Sequence, residues 1–159
     1  MLDRWMTHAS WFTMGVAVLT AVLFAVVACE DAGDPVGELA PDPQDVSFGD
    51  EILPILALRC ATVGCHSGTQ PAGFMNLSAA TAYQELLNET SQNPTYIAIA
   101  NRVVPGQPSR SLMLQKILAA ADRAVEVGNR MPLARTPLSG QDTARVRVWI
   151  EEGAVDDRP

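Results

Sequence analysis

Two thiols and an imidazole stand within seven residues, in Cys60-Ala61-Thr62-Val63-Gly64-Cys65-His66. Three kinds of chemistry use such a set. Two nearby thiols can close a disulfide in an oxidising compartment. Two thiolates and one imidazole can go to zinc, which wants four ligands in a structural site and three plus an open position in a catalytic one. Two thiols followed directly by His can also bond covalently to the edge of a flat prosthetic group while the imidazole reaches its metal. The common form of that last motif has two residues between the thiols, and here there are four. The chain holds three cysteines and two histidines in all, so placing Cys29 and His8 decides how much reactive chemistry remains.

Both fall at the N-terminus. Trp11 to Ala28 carries 15 apolar residues in 18 and no charge, the character of a secretory signal core or a short membrane span. The run ends Val26-Val27-Ala28-Cys29, which resembles the lipobox of bacterial lipoproteins. That resemblance implies cleavage before Cys29 and a lipid on its thiol, which anchors the protein to a membrane. The start is weakly charged, since Asp3 offsets Arg4, and an uncleaved anchor would export the rest equally. The expected organisation is a signal peptide at 1–28, a lipidated Cys with an acidic, Pro-rich tether at 29–47, and a folded domain at 48–157. Residues 30–47 hold six acidic residues, three prolines and no basic residue, too little apolar surface to fold. The expected location is the bacterial envelope, facing the periplasm or on the cell surface.

A net charge of -7 leaves no basic surplus for a phosphate backbone and argues against nucleic acid as a partner. Arg102, Arg110 and Lys116 are scattered among acidic residues and read as solvated surface, with pairing to the acidic groups of a bound cofactor as their one other use. No Gly-x-Ser-x-Gly elbow accompanies His66, which excludes the usual hydrolase arrangement. Thioredoxin-like chemistry lacks both its two-residue spacing and its alternation of strand and helix.

The elements that must position the cluster read as helices. Ser47 with Asp50 three positions on forms a capping pattern, and Phe48, Ile52, Ile55 and Leu56 follow at helical spacing toward Cys60, with Pro54 marking a kink or a late start. Ala79 to Leu87 predicts a short helix, and the Asn93-Pro94 pair and residues 103–108 predict turns. Ser109 or Ser111 caps a helix expected to run to about Ala124, and 128–138 reads as irregular. Ser139 with Asp142 caps a last helix that ends at Gly153, with Val146, Trp149 and Ile150 on one face. Trp149 is expected in the core, near Phe48 and Ile52.

Taken in order, FGDEILPIL, RCATVGCHSG, NLS, VVPGQPSRSLMLQKI, MP and LSGQDTARVRVWIEEGA resemble the class I c-type cytochrome domains of exported bacterial lipoproteins. The resemblance covers most of residues 48–155. It implies an all-α fold, a small cytochrome c-like helical domain with long loops wrapped around one haem c and its iron. It implies thioethers from Cys60 and Cys65, His66 as proximal iron ligand and Met131 as distal ligand. Met113 lies within a predicted helix and Met75 close after the motif, whereas Met131 precedes Pro132, which biases it to extended backbone. A His and Met pair raises the reduction potential and suits single-electron transfer to a redox partner protein at the envelope, one with a basic docking face given the acidic charge. The protein itself then makes or breaks no substrate bond. The alternative is a haem-free envelope lipoprotein stapled by a Cys60-Cys65 disulfide.

Overall fold

The computed structural model describes residues 44–87 and 89–159. The signal run, Cys29 and the tether through residue 43 lie outside the described residues. Among the described residues no strand forms, and Thr90 with Asn101 makes an isolated antiparallel bridge. The fold is helical, as the all-α expectation requires.

The first element begins where the capping pattern places it, with Ser47 Oγ accepting from Asp50 N at 2.9 Å. Phe48–Ile52 winds as a wide π turn and passes directly into α1, Leu53–Arg59. Pro54 accounts for the change of winding, because it has no N–H to donate and its ring crowds the carbonyl four residues back. Three further α-helices follow: α2, Ala82–Leu87; α3, Leu112–Ile117; and α4, Gly140–Glu151, capped by Ser139 Oγ on Asp142 N at 3.0 Å. Single-turn 3-10 segments at Ala72–Phe74, Pro108–Arg110 and Ala120–Asp122, and a longer one at Pro94–Ile99, join them. The last was expected as a turn only. It forms because Asn93 Oδ1 accepts from Thr95 N at 2.9 Å and starts a helical winding.

Phe48, Ile52 and Leu56 repeat every four residues, so they share one face, and all three are fully buried against Val146, Trp149 and Ile150 of α4. The Phe48 ring sits 5.2 Å from Trp149 and 5.3 Å from Tyr83, edge-on to the latter. Trp149 Nε1 donates to Val155 O at 3.0 Å, and Tyr83 Oη to Ala154 O at 3.1 Å, so each buried polar tip is satisfied.

Four boundaries differ from the sequence expectation, the first being the start of α2 at Ala82 in place of Ala79. Val46 and Ser47, assigned to the tether, belong to the fold: Val46 is buried, and Glu152 takes Asp45 N at 2.8 Å and Val46 N at 2.9 Å on its two carboxylate oxygens. At the other end Arg158, beyond the expected limit at 157, lies 4.9 Å over the Phe48 ring. The helix expected to reach Ala124 stops at Ile117. Its terminal carbonyls are claimed by the incoming chain, that of Lys116 by Met131 N at 2.7 Å, that of Ile117 by Arg130 Nε at 2.7 Å and that of Leu118 by Arg123 Nε at 3.2 Å. Ser111 takes the N-cap position of α3, but its buried hydroxyl serves Val104 and Gln107 of the preceding turn instead.

Candidate functional site

The reactive cluster forms at the C-terminus of α1. Leu56 O accepts from both Cys60 N at 2.9 Å and Ala61 N at 2.8 Å, which ends the helix at Cys60. The chain then folds back on itself. Cys65 N donates to Thr62 O at 2.9 Å and His66 N to Cys60 O at 3.1 Å, so the four intervening residues form a closed turn with Cys60, Cys65 and His66 at its neck. Gly64 holds φ +79°, a left-handed conformation that a side chain would strain. Both thiols are half-buried and unpaired in this structure.

Downstream backbone fixes the imidazole. Ala72 N donates to Cys65 O at 2.7 Å, Leu77 N to His66 O at 2.8 Å, and His66 Nδ1 lies 2.9 Å from Ala72 O. A carbonyl can only accept, so Nδ1 carries the proton and Nε2 keeps its lone pair. Burial lowers the His66 pKa below the ordinary imidazole value; the carbonyls of Ala72 and Met75 oppose that shift, and the Arg102 charge adds to it. The ring is therefore neutral at pH 7, the form in which imidazole binds a metal.

Burial acts in the opposite sense on Cys60, pushing its thiol from 9.0 up to about 11, with Arg59 pulling it down and Cys65 adding to the rise. The thiolate is the nucleophile, so at pH 8 Cys60 should be alkylated about a hundredfold more slowly than an unhindered thiol. Rates of iodoacetamide labelling across pH 7–11, read by mass spectrometry, check this; a Cys60 rate at pH 8 equal to that of the unfolded chain would refute it.

Met131 is placed by α3, through its N–H on Lys116 O, and its side chain is half-buried against the main core cluster, as is Cys60. Arg59 Nη2 donates to Thr136 O at 2.7 Å and Pro137 O at 3.2 Å, which ties the end of α1 to the segment following Met131. Met75 and Met113 pack against the same cluster, so packing alone does not separate Met131 from them. Apolar side chains beside these residues in sequence stay in water: Leu58, Val63, Phe74 and Leu133, with Val63 96% exposed. Among the described residues no three of His, Cys, Asp and Glu gather as a metal site. A half-open cleft of about 200 Å³ lies among Asp45, Val46, Trp149, Glu152, Val155 and Asp157, away from all four candidate ligand residues.

The reading of the basic residues needs correction. Arg102 is 4% exposed, and its guanidinium donates to Glu85 O at 2.9 Å, to the Glu85 carboxylate and to Phe74 O at 3.4 Å. Its partner is 17 positions away, and only the apolar Val103-Val104 that follow it hinted at burial. Lys116 Nζ is likewise engaged, on Tyr96 Oη at 3.2 Å and Val127 O at 3.0 Å. Sequence reasoning also gave no role to Thr62, whose buried hydroxyl has no hydrogen-bond partner within the turn between the two thiols. Comparison of the chain with protein-family models, with curated proteins and with solved structures finds no match.

Proposed function

We propose that the domain binds one haem c and carries single electrons at the bacterial envelope, held there by a lipid on Cys29. The observation that carries the reading is the closed Cys60–His66 turn, which puts two free thiols and a neutral, oriented imidazole at one neck. The donor set fits the group. Cys60 and Cys65 would supply the thioethers, His66 Nε2 the proximal bond and Met131 the distal one. A carbonyl on the far nitrogen of a ligating His is the usual second contact that fixes ring and tautomer. Leu58, Val63, Phe74 and Leu133 are each exposed and apolar and stand near the candidate ligands in sequence, and the aromatic content is low, 6%, as suits a chain whose domain takes up a large flat ring. When bound, the iron would accept and release one electron without any substrate bond changing.

Acidic charge bears on the partner. Residues 44–159 contain 12 acidic and 10 basic side chains, a balance of -2, so most of the -7 belongs to the segment before them. A partner with a basic docking face would meet this charge more on the tether than on the domain.

The deciding experiment exports the full chain in a host with haem c maturation machinery, separates it on a denaturing gel and stains for peroxidase activity. A red band that sediments with membranes in wild type and is released in Cys29→Ser is expected. A colourless band with no free thiol would replace this reading with the disulfide-stapled module.

A further inference from the structure

The ion pair of buried Arg102 with half-buried Glu85 is used by nothing so far described. An arginine that is 4% exposed must answer for its desolvation with good hydrogen bonds, and these have a direction. One nitrogen of the guanidinium binds Glu85, by backbone and carboxylate, at α2; the other reaches Phe74 O at 3.4 Å, the last residue of the Ala72–Phe74 turn. The first residue of that same turn supplies the carbonyl on which His66 Nδ1 rests. Neighbouring backbone seats Arg102 itself, through Met113 N on Arg102 O at 2.9 Å and Val103 N on Leu86 O at 3.1 Å. The path from α2 to the imidazole is therefore Glu85, Arg102, the Ala72–Phe74 turn and His66.

We propose that Arg102 is a positioning residue for His66, clamping the Ala72–Phe74 turn to α2 so that Ala72 O holds the ring with Nε2 presented. This rests on the reading of His66 as an iron ligand, but the clamp is visible without the iron.

The test uses the full chain without haem and with it. In the haem-free chain, nitrogen NMR of His66 reads the tautomer, and exchange of the Nδ1 proton reads its protection. Arg102→Met is expected to give mixed tautomers and at least tenfold faster exchange, with helical content and tryptophan fluorescence unchanged. Arg102→Lys, which keeps the charge but not the two-way fork, should fall between. Glu85→Gln keeps the backbone acceptor and tests the clamp where Arg102→Met does not fold. Folded Arg102→Lys and Glu85→Gln variants with wild-type His66 tautomer and protection would overturn the proposal. Failure of wild type to take up haem would count against the function instead, and leaves the NMR result to decide the clamp.

Discussion

Cys60→Ser together with Cys65→Ser is expected to reduce covalent haem staining to background, while each single variant keeps a fainter band. The reason is stoichiometric. Each thiol can contribute one thioether, so one bond survives in a single variant and none in the double. The haem-free chain should lose little stability, about 1 kcal/mol or less, because both side chains are half-buried and serine is near in size. The stain and the melting curve should thus separate a role in attachment from one in packing. Met131→Ala provides the contrast. It should retain the covalent band and lose the spectroscopic signature of sulfur ligation in the reduced protein. A double serine variant that stays red on a denaturing gel would sink the attachment reading. An unchanged Met131→Ala spectrum would move the distal role to Met75 or Met113, which pack on the same cluster.

Phe48→Ala should be the most damaging single core change. The ring has no exposed surface and meets Trp149, Tyr83 and the Arg158 guanidinium. Removing a buried Phe costs about 3–5 kcal/mol in transfer and cavity terms, against about 5–15 kcal/mol of total stability for an ordinary domain. For a domain of this size that lowers the melting temperature by about 10–20 °C. Arg158→Ala, which leaves the ring in place and removes the cation above it, the ion pair with Asp156 and the Ala79 contact, should cost about 1 kcal/mol. Circular dichroism melts of the two variants test the ranking; equal losses would mean that the ring is not the centre of this packing.

Patterns confined to one stretch of chain were readable in advance. The Ser47 and Ser139 caps, the four-residue repeat from Phe48 to Leu56 and the Trp149 face each depend on neighbours within a few positions, where period and capping act. The same holds for the Cys60–His66 grouping, because the turn closes on itself. What escaped reading depends on residues far apart. The end of α3 is set by Arg123, Arg130 and Met131, whose claim on its carbonyls has no trace in the helical pattern of Leu112 to Leu118. Arg102 is buried because Glu85 and Phe74 wait for it, at separations of 17 and 28 residues. Val46 joined the fold through a carboxylate more than a hundred positions away.

That last contact has a mechanical meaning. The chain enters the domain beside Asp45, where the two oxygens of Glu152 grip consecutive amides and Gly49 N is held by Asp157 at 2.9 Å. Tension arriving from residue 44 is loaded first onto this carboxylate clasp and passes from there into α4. The Cys60–His66 turn begins at the opposite end of the first helix, outside that line of force. A pull on the chain before residue 44 would strain or open the clasp first, while the geometry around the two thiols and the imidazole stays undisturbed.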